Sequence, residues 1–547
     1  MKNSKRWFAF LLTAMMIASL TGCGSSGTTS ESSVSSESAS ESSSEDSDSA
    51  ETVEAEALTL PLSEDTVTLT YFINTDGNAS IIKTDYNDNE FFQELEKRTN
   101  VHIDWQMSSS ADLQTNFNLM IASNQLTDIV YGANFYQDGL EAAIDDGYYL
   151  DLTDLIPKYM PNYSALRESD ENIKVSTMTD SGRLPGVYGI MTVTQGPWMG
   201  LQIRQDWLDQ VGLDVPVTYD DWTEVLTAFK DQIGAYAPLS LNGNGFTDYS
   251  SAMMSGYNVT YTWQLTDGGK VAYGPSLDGW REYVTQMNEW YENGLIDPDF
   301  MTSNTFIVDT TMVVTGKTGA WCSMYTMPSL YEASSEDADM NIVPVASPVK
   351  EEGDTVHIRM ADIYIGGATA ISASCKNPEI ALKWLDYLYS EEGSMLANYG
   401  VEGDTYTLDD AGNPVFTDKI LNNADYSFSQ AQASFLCPPS SVPNYYDWTR
   451  ETGSVPEKDL ASYDVWGSVE DDWVMPNTLT LTSEESVERA GIMTDIETYA
   501  KEQTTAMITG VQDVETYWDT YISTIEGMGL ERAVEITQAA YDRYLER

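Results

Sequence analysis

The chain is 547 residues long and carries 27 Lys and Arg against 86 Asp and Glu, a formal net charge of −59. So large an acidic excess excludes a nucleic-acid binder that works by neutralising phosphates, argues against a polybasic membrane surface, and disfavours a strongly anionic ligand. Two histidines and four cysteines, with no CxxC, Cys/His, GxSxG, HExxH or P-loop spacing, leave little material for zinc, triad or nucleotide chemistry. No cofactor and no metal is therefore expected.

The chain opens with Lys2, Lys5 and Arg6, followed by the fourteen-residue apolar run WFAFLLTAMMIASL. That run is shorter than the ~20 residues a membrane span needs, and its length and basic flank fit a secretory signal. It ends Leu20-Thr21-Gly22-Cys23. These residues resemble the bacterial lipoprotein signal, in which the cysteine is lipidated and becomes the mature N-terminus. The resemblance implies a signal peptide over 1–22, lipidation at Cys23, and a protein anchored on the extracytoplasmic face of the cell membrane. Residues 24–57 are mostly Ser, Glu, Asp, Thr and Ala. Such a composition cannot bury enough surface to offset chain entropy, so residues 23–63 read as a disordered tether with a root-mean-square span of ~35 Å.

Order is expected from residue 64. The alternation in TVTLTYFIN (66–74) predicts a strand, NEFFQELEKRTN (89–100) a helix, and VHIDWQM (101–107) a second strand. ADLQTNFNLMIAS (111–123) places Leu113, Phe117, Met120 and Ile121 on one helical face, and LTDIVYG (126–132) reads as a third strand. Strands alternating with helices imply a parallel α/β sheet, with ligand beyond the strands' carboxyl ends. RQDWLDQVGL (204–213) predicts a helix stopped by Gly212. A second helix starts at Thr218 and buries Trp222, Val225, Leu226 and Phe229. KNPEIALKWLDYLYSEEG (376–393) predicts a helix capped by Asn377 and stopped by Gly393, and 484–546 a set of helices. Some 480 residues behind the tether exceed a single core, so at least two lobes are expected.

Several strings stand in a characteristic order: RTNVHIDWQ, LTDIVYG, LPGVYGI, IRQDWLDQVGLDVPVTYDDWTEVLTAFKD, ENGLIDPDF, TGKTGAWC, AISASCKNPEIALKWLDYLYSEEG, YGVEGDTYT and MITG…LERAVEITQAAYDRY. Together they resemble the extracellular solute-binding proteins, family 1, of carbohydrate ABC importers, in particular the large lipoprotein branch of Gram-positive bacteria. The resemblance implies a two-lobed α/β fold with hinge strands and a ligand cleft. Residues 64–190 and 343–400 would form the first lobe, and 191–342 and 401–547 the second, with extra C-terminal helices. It also implies a monomeric, non-enzymatic receptor whose partners are an oligosaccharide and a membrane ABC permease. Some relatives carry a calcium loop, of which SLNGNGFTDYSS (240–251) looks like a remnant. Ser251 stands where the bidentate carboxylate belongs, so the segment reads as a glycine-rich turn.

The 14 Trp, 33 Tyr and 14 Phe supply rings able to stack on sugar faces. By the resemblance, Trp321 sits where a stacking aromatic is often presented, although the position fits a core tryptophan equally. Trp198 in QGPWMG and Trp263 in YTWQL lie in loop-like contexts, whereas Trp207, Trp222 and Trp384 fall on helical stripes and are assigned to packing. Asp362, Tyr364 and Asn74 are candidate polar partners from the first lobe, and Arg204 a candidate for hydroxyls or an acidic sugar. A carboxylate beside a ring suits neutral sugars, because hydroxyls donate strongly to charged oxygens. Two alternatives stand beside the receptor: a surface glycoside hydrolase or lyase, and a lipoprotein that binds peptides or small metabolites on the same scaffold.

Overall fold

The structure, a computed structural model, describes residues 55–75, 85–191, 198–241, 251–302, 307–358, 367–438, 441–453, 455–470, 472–476 and 478–547. The signal, Cys23 and most of the tether lie outside these residues. The last part of the expected tether is packed rather than loose. The Glu56 amide donates to the Lys158 carbonyl at 2.8 Å and the Leu62 amide to the Thr99 carbonyl at 2.9 Å. Glu56 also pairs with Lys383 at 2.6 Å, while Leu58 and Leu62 rest on a hydrophobic core. Leu58 and Leu62 among the acids give this stretch apolar area with which to dock.

β1 (Val67–Asn74) leads into α1 (Glu90–Thr99), whose Asn89 cap accepts from the Phe91 amide at 2.8 Å. β2 (Val101–Ser108), α2 (Leu113–Ser123) and the two-residue β3 (Ile129–Val130) follow. β2 and β3 flank β1 in parallel. Short helices then carry the chain to β4 (Ile190–Met191).

A second sheet begins at β5 (Met199–Arg204), followed by α3 (Gln205–Val211) and α4 (Tyr219–Ala228). α4 starts with a capping box: Thr218 accepts from the Asp221 amide, and Asp221 accepts from the Thr218 amide. β6 (Ala237–Ser240), the hairpin of β7 (Trp263–Leu265) and β8 (Val271–Tyr273), and α5 (Asp278–Glu292) come next. β9 (Thr318–Met324) and β10 (Ile342–Val345) complete a sheet ordered β10-β5-β9-β6, in which β5 is antiparallel to both neighbours. Its core holds Trp222, Trp280 and Trp290, all at most 1% exposed.

The chain then returns to the first sheet as β11 (Ala370–Ile371), antiparallel to β3, giving the order β11-β3-β1-β2. α6 (Pro378–Tyr387) and α7 (Glu391–Tyr399) cover it. Gly393 is not the predicted stop. α6 ends at Tyr387, Ser390 caps α7 and Gly393 lies inside it, where a Cβ would fall 1.8 Å from the Tyr387 carbonyl oxygen. A small hairpin of β12 (Tyr406–Leu408) and β13 (Pro414–Phe416) precedes α8 (Phe428–Phe435). β14 (Tyr445–Tyr446) pairs in parallel with β4.

Residues 401–446 do not join the second body as expected. Ala433, Cys437 and Val442 pack with the first core, and Tyr406, Phe416 and Ile420 form a satellite with Tyr399 of α7. The chain crosses back only after β14, into α9 (Glu457–Trp466). α9 lies so close to the second sheet that a Cβ at Gly200 would meet the Trp466 ring at 2.5 Å. Likewise β10, expected in the first lobe from residue 343, is an edge of the second sheet. α10 (Ser483–Ile508), α11 (Val514–Gly527) and α12 (Leu530–Tyr544) close the chain and contribute Met493, Ile496, Trp518, Tyr521 and Ala533 to the second core.

Candidate ligand-binding cleft

The main chain passes between the two cores three times: after β4, after β10 and after β14. Near the first core these passages are tied together. Thr369 and Val187 exchange backbone bonds at 2.9 Å each, and β4 pairs with β14 through Ile190–Tyr445 and Met191–Tyr446. The carboxyl ends of the parallel strands β1, β2 and β3 mark the edge of this sheet where ligands of α/β folds sit. There Asn74, half-buried, accepts from the Ser110 hydroxyl at 3.1 Å, and Asn116 donates to Ser108 at 2.9 Å.

Where the first and third passages enter the second body, aromatic rings converge. Tyr325, just beyond β9, donates its amide to the Trp198 carbonyl at 3.0 Å. Its ring lies 4.9 Å from Tyr463 of α9 and 6.2 Å from Trp448, and Trp448 lies 6.2 Å from Tyr446. Trp448 and Tyr463 are half-buried, and the Trp448 Nε1 and the Tyr463 hydroxyl are themselves buried. Glu451 stands beside the cluster, accepting from the Tyr446 hydroxyl at 2.5 Å and pairing with the buried Arg450 at 3.2 Å. Burial pushes the Tyr325 phenol well above its ordinary range and the Tyr463 phenol up to about 12, so both remain neutral donors at physiological pH. Half-buried rings beside a carboxylate are the group types that suit polyhydroxylated, uncharged molecules.

The residues expected at the site divide. Trp198 is half-buried next to Tyr325, and Trp263 is half-buried in the β7–β8 hairpin, its ring tilted on Tyr273 at 5.6 Å with the Arg489 guanidinium 5.9 Å from its centre. Asn74 is at the strand end described above. Trp321 is fully buried: its indole donates to Gln202 at 2.9 Å and its ring meets Tyr331 edge-on at 6.0 Å. It faces a core, which is the alternative its sequence context left open. Arg204 is also buried, held by Asp206 through two bonds of 2.8 and 2.5 Å and by Asp337 at 2.7 Å, with its guanidinium over Trp207. Its Nε and Nη2 are committed to carboxylates and its Nη1 is buried, so the guanidinium presents no exposed group to a ligand. Asp362 and Tyr364 lie outside the described residues, as does most of the glycine-rich turn at 240–251. Trp207, Trp222 and Trp384 are buried, as assigned.

Tyr325, Tyr446, Trp448, Tyr463 and Glu451 were not singled out by sequence. They come from three segments more than a hundred residues apart at the extremes, so no local period joins them. The stretch NYYDWTRE (444–451), with rings and acids mixed and no helical stripe, was the available signal. A separate cavity of about 940 Å3 is lined by Arg98, Tyr387, Glu392, Met395 and Tyr406 among others, all of them on the first body, and it lacks such a ring cluster.

Residues 78–395, more than half of the chain, match the family model of bacterial extracellular solute-binding proteins. The chain belongs to that family. The fructooligosaccharide ABC transporter substrate-binding protein FusA of Streptococcus pneumoniae serotype 4 is 26% identical over 575 residues, covering 98% of this chain and 97% of that one. Lipoprotein LipO of Bacillus subtilis is 26% identical over 375 residues, or 63% of this chain and 70% of its own. Among solved structures, an HMO-binding, ABC-transporter-associated solute-binding protein from Bifidobacterium longum infantis superposes with a TM-score of 0.73 at 18% identity, over 88% of this chain and 99% of that one. The two sheets and their crossing strands are therefore the two-lobed fold of solute-binding proteins.

Proposed function

We propose that this protein is a lipid-anchored receptor that captures a neutral oligosaccharide between its two lobes and delivers it to an ABC importer permease. The observation that carries the reading is the pair of half-buried rings Trp448 and Tyr463, packed on the buried Tyr325 with Glu451 nearby, where the chain passes between the lobes. The similarity to FusA over nearly the whole of both chains supports an oligosaccharide as the ligand. The charge of −59 favours uncharged sugars over uronic-acid polymers. Binding would draw the lobes together about the three passages, a hinge closure of the type periplasmic binding proteins perform. The receptor acts as a monomer and performs no chemistry on its sugar. Its lobes would comprise residues 55–190 with 367–446, and 198–345 with 457–547.

Calorimetry of the chain from residue 24 against neutral plant and host oligosaccharides, fructooligosaccharides included, tests the reading. One ligand class should bind with 1:1 stoichiometry and be recovered uncleaved, and Trp448→Ala should weaken it by about 10- to 100-fold through loss of a stacked ring. Binding of peptides but no glycan, or turnover of the sugar, would overturn it. In cells, Cys23→Ser should move the protein from the membrane fraction to the medium; a variant that stays membrane-bound argues against the anchor.

A further inference from the structure

We propose that His357, Glu470 and Asp472 form a binding site for one transition-metal ion of the Zn²⁺ type. His357 lies on the second passage between the lobes, and the two acids on the segment that follows α9. The His357 Nδ1 is 2.9 Å from an Asp472 carboxylate oxygen and 3.9 Å from a Glu470 oxygen, and the three donor atoms all lie within 4.8 Å of one another. Four-coordinate zinc, with bonds of ~2.1 Å, separates its ligand atoms by about 3.4 Å, a value these distances bracket.

The decisive detail is that both carboxylates face the same nitrogen. One N–H serves one carboxylate, which leaves the second carboxylate beside the first without that donor. The other histidine of the chain shows the ordinary arrangement. His102 meets Glu96 with Nδ1 at 2.9 Å and Asp104 with Nε2 at 3.6 Å, one carboxylate on each side of the ring. A divalent cation would bridge the two carboxylates and the nitrogen at His357, an arrangement that the two-sided pairing of His102 does not offer.

The backbone on both sides of the site and the imidazole ring are also held in place before any ion arrives. The Glu470 amide donates to the Val356 carbonyl at 2.9 Å and the Trp473 amide to the His357 carbonyl at 3.2 Å, so backbone bonds flank the site on both sides. The Trp473 ring stacks on the imidazole at 4.5 Å and 13°, fixing its plane, and the Trp473 carbonyl accepts from the Leu265 amide at 2.8 Å. Imidazole nitrogen with two carboxylates and open positions for water suits Zn²⁺ and its neighbours. Ca²⁺ and Mg²⁺ favour oxygen alone. An ion here would clip the second passage to the segment after α9.

The test is zinc titration of chelator-stripped, dialysed protein by calorimetry, with thermal unfolding as a second readout. The wild type and His102→Asn should each bind one Zn²⁺ and gain thermal stability from it. His357→Asn should bind at least about 100-fold more weakly and gain none, and the exposed substitution Glu470→Gln should weaken binding by about 10-fold or more without disturbing the metal-free fold. Equal binding in wild type and His357→Asn would overturn the site, as would weak, multiple uptake of Zn²⁺ matched by Ca²⁺, the behaviour of scattered surface acids.

Discussion

Asp386 is a carboxylate with no solvent exposure, on the buried face of α6. It accepts from the Tyr163 amide at 2.9 Å and from the Asn162 side chain at 2.7 Å. Burial pushes its pKa up to about 6, and these two donors restrain the rise. The folded state therefore holds this proton more tightly than the unfolded chain, whose Asp titrates near ~3.9. The stability from this group is fully present below pH ~4 and is lost as pH rises through about 6, a change of about 3 kcal/mol. Asp386→Asn removes that loss, so the thermal midpoint of the variant relative to wild type should climb between pH 4 and 7. A constant difference across that range would show that Asp386 does not titrate there. The tryptophans show what can be read at this scale without coordinates. Trp207, Trp222 and Trp384 were legible as packing because helical spacing shows which side of an element faces a core. Trp321 was not, since its strand is buried on both faces: six of the seven residues of β9 are buried, and alternation disappears. Trp448 escaped for the opposite reason, having no period at all around it.

At the level of elements, caps and stops were the readable features, because they act within a few residues. Thr218 and Gly212 end up where their chemistry predicts. Gly393 misled, since a glycine after a helix and a glycine that admits a neighbouring carbonyl look alike in sequence. The docking of residues 401–446 on the first core was also hidden, being decided by contacts such as that of Asn89, which donates to the Ala433 and Leu436 carbonyls over 340 residues away. α12 offers a similar long-range contact with a measurable consequence. Its Arg543 and the following Arg547 both reach Asp180, at 2.8 and 2.6 Å, on a segment whose neighbours pack with the first core. Burial raises the Asp180 pKa, but the two arginines and Thr480 outweigh it and leave the carboxyl below its usual range. The Arg547 side chain is fully buried, so losing Asp180 strands a buried cation. Asp180→Asn should cost about 3–5 kcal/mol and expose the C-terminal helix to proteolysis before the rest of the chain unfolds. A thermal midpoint within a degree of wild type would mean that the backbone carbonyls around Arg547 suffice.

For the whole molecule, charge and closure oppose each other. Residues 85–191 carry 18 acids against six bases, and residues 198–345 carry 20 against five, so each lobe is strongly negative. In the proposed closure, drawing two such bodies together around a ligand would raise their mutual repulsion, a cost that would belong to the closed, liganded state alone. Screening reduces it: the Debye length falls from ~30 Å at 0.01 M salt to ~8 Å at 0.15 M. A neutral oligosaccharide has no charge of its own to be screened. Its affinity should therefore rise a few-fold between these salt concentrations, with most of the change in the dissociation rate, because the proposed closure would be what holds the ligand. The same titration separates ligand classes. A cationic peptide, attracted by the acidic surface, should bind more weakly as salt increases. An acidic sugar should gain far more than a neutral one, since screening then also relieves its repulsion from the protein. A salt-independent affinity, measured by calorimetry on one sugar across the series, would mean that capture proceeds without bringing the two acidic lobes closer.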